Sequence, residues 1–163
     1  MTPELKNLIE DQINKELYSA YLYFDIAEFY RAKGLKGFHV WFEKQAQEEI
    51  EHAERFAEYL HDLAVPFVLK PIAAPDNHFE SFREPLVLQV THEKYVTSLI
   101  HAIARQAEKD GDVGTVDFLS WYIAEQREEE EKASALLTRY DLFADGDKVG
   151  LYHLDKDLAA ERK

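Results

Sequence analysis

The chain has 163 residues, enough for one domain with a substantial core, and a formal net charge of −13 at pH 7. Such acidity is unsuited to binding nucleic acid or an anionic membrane surface, and it favours cations. The absence of cysteine excludes disulfides, zinc–thiolate sites and iron–sulfur clusters. No signal peptide is visible, and no apolar run approaches the length of a membrane span. The sequence therefore predicts a cytoplasmic protein with no membrane or nucleic-acid partner.

Turn residues divide the chain into four long helices and one short one. Thr2 and Pro3 form a helix start, with threonine as the N-cap and proline at the first helical position. Pro66, Pro71 and Pro75 lie in a segment too rich in proline for a helix and too long for a tight turn. The predicted helices cover about residues 3–33, 38–63, 82–110, 114–140 and 148–160.

This pattern predicts an all-α fold with a single domain over residues 1–163. Two short turns and one long crossover, between the second and third helices, are typical of an up-down-down-up four-helix bundle. The fifth, C-terminal helix has about a dozen residues and would be marginal alone. We therefore expect it to dock on the bundle or on another subunit.

Each long helix carries polar residues within its apolar stripe. Glu16 follows Ile9 by seven residues, and this spacing returns a helical residue to within about 20° of the same face. We place Phe24 on the same stripe and find no lysine or arginine on any of the four stripes. A buried, unpaired carboxylate costs several kcal/mol, so these residues predict a bound cation. The stripe residues in question are Glu16, Glu49, His52, Glu93, Gln126 and Glu129.

The sequence contains two Glu-x-x-His pairs. Glu49 and His52 share the core face of the second helix, so both can reach one metal ion. Glu58 lies nine residues beyond Glu49, about 180° around the helix, so we predict that Glu58 and His61 face solvent. One such pair is common by chance, and a single glutamate in a stripe is usually a boundary residue. Four helices that each place a polar stripe residue at the same depth of the bundle indicate a metal site.

Carboxylates with one imidazole form a hard, oxygen-rich ligand set that favours iron or manganese over zinc or copper. Glu49 would bridge two ions, since its helix supplies the central pair. Glu16 and His52 would complete one side, and Glu93 and Glu129 the other. Two divalent ions would neutralise four carboxylates.

Five segments carry a resemblance to a known family: KELYSAYLY from Lys15, AQEEIEHAERF from Ala46, THEKY from Thr91, FLSWYIAEQREEEEK from Phe118 and GLYHLDKDL from Gly150. Together they make the whole chain resemble the non-haem ferritins of bacteria and archaea. That resemblance implies iron storage with ferroxidase activity, ferrous iron and dioxygen or peroxide as reactants, and a homo-oligomeric shell of twenty-four subunits.

The resemblance also implies further site residues. Gln126 matches a glutamine beside the two irons, and Tyr23 matches a nearby tyrosine. A third, weaker iron site on the cavity side would comprise Glu48, Glu125 and Glu128, with Glu129 shared. Asp117 matches a position that lines entry pores in animal ferritins, although the next acidic position of that pattern is a serine here.

Haem is not expected. The haem-containing relatives carry a methionine directly after the glutamate of the second helix, where this chain has Ile50, and Met1 is the only methionine. Two other functions stay open from the sequence alone. One is a di-iron oxygenase or peroxidase with an organic or peroxide substrate, and the other is a helical bundle that never binds metal.

Overall fold

The computed structural model describes residues 1–161, and within this range the protein is built from α-helices alone, as predicted. No described helix is both long and apolar enough to cross a membrane. Residues 162 and 163, the end of the predicted single domain, lie outside the described range. The helices are α1 (Pro3–Ala32), α2 (Lys36–Asp62), α3 (Glu84–Asp110), α4 (Val113–Phe143) and α5 (Lys148–Glu161).

Local sequence explains where the helices begin and end. The Thr2 hydroxyl accepts a hydrogen bond of 3.2 Å from the Leu5 N–H at the start of α1. An Asp112 carboxylate oxygen caps α4 in the same way, at 3.0 Å from the Thr115 nitrogen. Gly111 ends α3 in a left-handed conformation, with φ of 68°, which glycine adopts without steric strain.

Short turns pair α1 with α2 and α3 with α4, and these are the most extensive helix–helix contacts. The crossover between α2 and α3 lies along α1. Its early part contacts the first half of α1, where the Val68 N–H donates to Glu10 at 3.2 Å. Its last part reaches the end of α1, where the Tyr30 hydroxyl donates to the Phe82 carbonyl at 2.6 Å. The predicted bundle with one long crossover is therefore confirmed.

Two apolar clusters fill the bundle, one toward each end. The first includes Tyr30, Phe38, Leu86 and Leu136, and the second includes Ile9, Phe56, Ile100 and Leu119. On each long helix one buried glutamate lies, along the sequence, between members of the two clusters; these four are Glu16, Glu49, Glu93 and Glu129. The polar residues therefore form a layer across the middle of the bundle, enclosed by apolar side chains at both ends.

The assignment of Phe24 to the core stripe of α1 was wrong. Phe24 is 50 % exposed, whereas Tyr23 is fully buried. At 100° per residue, Tyr23 returns to about 20° from Glu16 and Phe24 is about 80° away from it. The core face of α1 therefore continues through Tyr23.

The fifth helix docks on the bundle through Asp155. The first turn of α2 has no acidic residue, and its N-cap Leu35 makes no side-chain hydrogen bond. An Asp155 carboxylate oxygen accepts instead from the N–H groups of Gly37, at 2.7 Å, and Phe38, at 3.1 Å. A Cβ on Gly37 would lie 1.7 Å from the Asp155 carbonyl oxygen, so glycine is required for this close approach. The carboxylate also complements the positive end of the α2 dipole.

Candidate metal centre

The polar layer gathers the residues predicted from the stripes. Each of these residues is at most 5 % exposed, and Tyr23 is fully buried beside them. α1 supplies the first residue, α2 the next two, α3 one, and α4 the last two; in chain order they are Glu16, Glu49, His52, Glu93, Gln126 and Glu129.

We call Glu16, Glu49 and His52 the first half of the centre. Each offers one ligand atom, and these atoms lie within 4.8 Å of one another; it is the one such group among residues 1–161. His52 Nδ1 is 3.4 Å from Glu49 Oε2. Neither His52 Nδ1 nor Glu16 Oε2 has a hydrogen-bond partner among the described residues. Buried polar atoms normally have one, so these two atoms fit a metal ion.

The second half of the centre consists of Glu93 and Glu129, and donors contact both carboxylates. The Tyr23 hydroxyl donates to Glu93 Oε1 in a short hydrogen bond. The Gln126 amide donates to Glu93 Oε2 at 3.2 Å. Tyr23 therefore bonds to Glu93 on α3, although by sequence it shares a face with Glu16.

Glu129 is held between an amide and an ammonium. Gln45 Nε2 donates to its Oε2 at 2.7 Å, and Lys132 Nζ donates to its Oε1 at 2.9 Å. No lysine lies on the polar stripe of α4, as predicted, but Lys132 reaches Glu129 from beside that stripe. Lys132 lies about 60° off the phase of Glu129, but its four-carbon stem reaches back one turn.

Electrostatics in the layer oppose full ionisation without a cation. Burial, followed by the charge of Glu49, raises the pKa of Glu16 well above its usual value. Burial and then the charge of Glu93 do the same to the pKa of Glu49. The pKa of Glu93 rises to about 7, mainly through burial, while the Tyr23 hydrogen bond lowers it in part. A divalent ion would replace protons at these carboxyl groups.

The three residues predicted for a third iron site lie near the layer but in two separate surface depressions. Glu48 and Glu125 line an open depression of about 440 Å³ that also includes His52. Glu128 lines a neighbouring one of about 530 Å³ together with Lys132. Burial raises the pKa of Glu125, which is partly buried. The third site stays a prediction.

Sequence reasoning missed three side chains that contact the candidate ligands. Gln12 Nε2 donates to Glu16 Oε1 at 2.9 Å, and Gln45 and Lys132 both donate to Glu129. Gln12 and Gln45 are buried amides within apolar stripes. The signal that identified the glutamates was therefore present for these glutamines as well. Lys132 gave no such signal, since it lies off the stripe.

A helical bundle with this buried layer defines a class: proteins that hold metal ions between facing helices through carboxylates and imidazole. A family model described as "Ferritin-like domain" matches residues 6–143. The chain is 30 % identical, over 97 % of its length and 95 % of the relative, to a probable bacterial non-heme ferritin-like protein of Haemophilus influenzae. It is also 30 % identical to the bacterial non-heme ferritin of Escherichia coli, over 98 % of this chain and 96 % of that one.

Solved structures also show the similarity to ferritins. An open-pore ferritin from the hyperthermophilic archaeon Archaeoglobus fulgidus superposes with a TM-score of 0.94 at 34 % identity, covering 98 % of each chain. The chain therefore belongs to the ferritin family, which implies that it binds iron.

Proposed function

We propose that this protein stores iron and oxidises Fe(II) to Fe(III) at the polar layer between its helices. The observation that carries the proposal is the first half of the centre, where two carboxylates and an imidazole are buried with ligand atoms within 4.8 Å of one another. Such a donor set suits ferrous and ferric ions. Membership of the ferritin family supports the same function.

Glu49 would bind both ferrous ions, because it belongs to the first half and the charge of Glu93, in the second half, raises its pKa. Glu16 and His52 would hold one ion, and Glu93 and Glu129 the other. Two divalent ions against four carboxylates would leave the layer electrically neutral, which removes most of the penalty of burying the charges. Gln126 and Tyr23 would orient Glu93 through their hydrogen bonds.

In the proposed reaction each ferrous ion gives up one electron. The two electrons reduce dioxygen to hydrogen peroxide, or hydrogen peroxide to water, and the oxidant takes up two protons. Carboxyl groups with raised pKa in the layer, among them Glu16 and Glu49, release protons as the ions bind. The ferric ions then leave the centre, so that the same ligands bind further ferrous iron.

Storage requires a compartment. We propose that the subunits form a homo-oligomeric shell of twenty-four, and that Glu48, Glu125 and Glu128 face its cavity and bind a third, weaker iron. Support for an assembly comes from the similarity to the open-pore ferritin of Archaeoglobus fulgidus. Cavity-facing carboxylates would hold several cations close together and so promote ferric mineral. A pore role for Asp117 and a cytoplasmic location remain predictions.

Aerobic addition of ferrous iron tests storage against the two other functions. We expect several tens of ferric ions per chain to stay in solution and to co-elute with a large particle on size-exclusion chromatography. A di-iron oxygenase or peroxidase would stop at about two ions per chain, and a helical bundle without a metal site would bind none. Elution as a small species, or precipitation of the added iron, would contradict the proposal.

A further inference from the structure

Lys132 places an ammonium among the candidate ligands. Its Nζ is 2.9 Å from Glu129 Oε1 and 3.0 Å from Glu128 Oε1. The Glu129 side chain is 1 % exposed, that of Lys132 is 29 % exposed and that of Glu128 is 61 % exposed. The ammonium therefore joins a buried carboxylate of the polar layer to an exposed carboxylate in the surface depression of Glu128.

This contact neutralises part of the second half of the centre. Glu129 accepts from Gln45 through Oε2 and from Lys132 through Oε1, so both of its oxygens are engaged. A metal ion that uses Glu129 must share or displace one of these donors. The neutral Gln45 amide can move aside without charge repulsion. The ammonium cannot share an oxygen with a divalent ion in the same way, because like charges this close repel strongly.

The first half of the centre differs on this point. Neither its free Glu16 oxygen nor His52 Nδ1 has a donor among the described residues, and no ion pair with a lysine or arginine is found there in the described chain. A metal ion can therefore bind to the first half without displacing a cation. Among the described residues, the ion pairs of Lys132 are with Glu129 and Glu128, so its direct competition with metal ions falls on these two carboxylates.

We propose that Lys132 is a tethered cation that competes with metal ions for Glu129 and Glu128. The first ion then binds at Glu16, Glu49 and His52 without displacing a side-chain cation, whereas each later ion must displace the ammonium. This inference rests on the proposed function and deepens it, since it names a residue that regulates loading of the second and third ions. Displacement is feasible because a lysine stem is flexible and its head already reaches solvent.

Co²⁺ titration of the metal-free, full-length protein by calorimetry at pH 7 tests the proposal. Co²⁺ is divalent, prefers similar ligands and does not oxidise under these conditions. In Lys132→Gln we expect the first ion to bind as in the wild type, within about threefold, and later ions to bind at least about tenfold more tightly. Lys132→Arg keeps the charge and should behave as the wild type.

Arg127→Gln is the matched control. Arg127 is exposed, lies on the same helix and lines the same depression as Lys132, so its replacement removes one positive charge at a similar place. It should leave all Co²⁺ affinities within about twofold of wild type. If Arg127→Gln increased the affinity for the later ions as much as Lys132→Gln does, the cause would be the general loss of positive charge, and the proposal would fail.

Thermal unfolding gives a second readout. Without metal, Lys132→Gln should unfold at a lower temperature than wild type, because Glu129 loses its counter-charge. Saturating Co²⁺ should raise the melting temperature of Lys132→Gln by more than it raises that of the wild type. A lower melting temperature with unchanged or weaker binding of later ions would mean that Lys132 only stabilises the bundle, and would overturn the inference. If even the wild type binds no Co²⁺, the proposed function itself fails.

Discussion

The two halves of the polar layer handle buried charge in different ways. In the first half, Glu16 and Glu49 lie close to His52, and one oxygen of Glu16 and one nitrogen of His52 have no hydrogen-bond partner in the described chain. In the second half, Glu93 and Glu129 each accept hydrogen bonds from two donors. Gln12 donates to the other oxygen of Glu16, so the first half keeps two unpartnered atoms for a cation, whereas every carboxylate oxygen of the second half accepts from a donor.

This difference shows which interactions a metal ion must replace. Burial raises the pKa of Glu16 and Glu49, so protons are the groups displaced in the first half. In the second half an incoming ion would have to displace hydrogen bonds from a phenol, two amides and an ammonium. Hydrogen bonds to a charged group contribute about 1.5–3 kcal/mol each, so the two halves should differ in metal affinity.

The largest effect should follow from removing the first half. Replacing both Glu49 and His52 with alanine deletes two of the proposed ligands, one of which we propose to bind both ions. We expect rapid ferrous oxidation to fall at least about a hundredfold, since even an indirect partner of a metal ligand contributes 10–100-fold. Stopped-flow absorbance after mixing with Fe(II) measures this. The metal-free variant should stay helical and gain thermal stability, because a buried carboxyl group that is costly to ionise is removed.

The second Glu-x-x-His pair provides the control. Glu58 and His61 are exposed on the same helix, so replacing both with alanine makes the same chemical change on the solvent side. That variant should oxidise iron as the wild type does. Wild-type kinetics in the Glu49/His52 variant would show that the first half is not the oxidation site.

A pH titration of the metal-free protein tests whether burial, which raises the pKa of Glu93, outweighs the hydrogen bonds from Tyr23 and Gln126, which lower it. The pKa of Glu93 is about 7 in the folded protein and about 4.5 in the unfolded chain, so the folded state binds more protons between these values. The free energy of unfolding of the metal-free protein should therefore decrease as the pH rises from about 4.5 to about 7. The contribution lost is about 3 kcal/mol.

Urea unfolding at pH 5 and pH 8 isolates this contribution. Glu93→Gln removes the titrating group. Between pH 5 and pH 8 its free energy of unfolding should therefore fall by about 3 kcal/mol less than that of the wild type. Glu108→Gln, an exposed position on the same helix, should follow the wild type. Parallel losses in Glu93→Gln and wild type would mean that Tyr23 and Gln126 already hold Glu93 ionised.

The smallest effect concerns the exposed side of the layer. Replacing Glu48, Glu125 and Glu128 with alanine should spare the first burst of oxidation, because all three lie outside the buried layer. Repeated additions of iron should then oxidise a few-fold more slowly, or with altered oxygen consumption. An oxygen electrode with stopped-flow absorbance follows both.

Glu131→Ala controls for loss of acidic charge, since Glu131 is exposed one turn beyond Glu128. It should leave repeated oxidation unchanged. If the triple variant lost the first burst, these glutamates would be primary ligands, and the division into two buried halves would need revision.

The sequence by itself determined the helices, the long crossover and the depth at which polar residues cross the bundle. Helical phase is local: residues seven apart return to one face, which put Glu16, Glu49 and Glu93 toward the core without knowledge of the fold. The error at Phe24 marks the limit of this reasoning, because a residue about 80° from the stripe centre can be assigned to either face.

Only the tertiary structure decided which groups meet. Tyr23 bonds to Glu93 on another helix, Gln45 reaches from α2 to Glu129 on α4, and Asp155 caps α2 from the end of the chain. These pairings depend on the rotation and axial offset of one helix against another. Those quantities follow from packing of the whole core, and no single helix encodes them. Lys132 completes the contrast, since the direction of its flexible stem is set by the carboxylates that surround it.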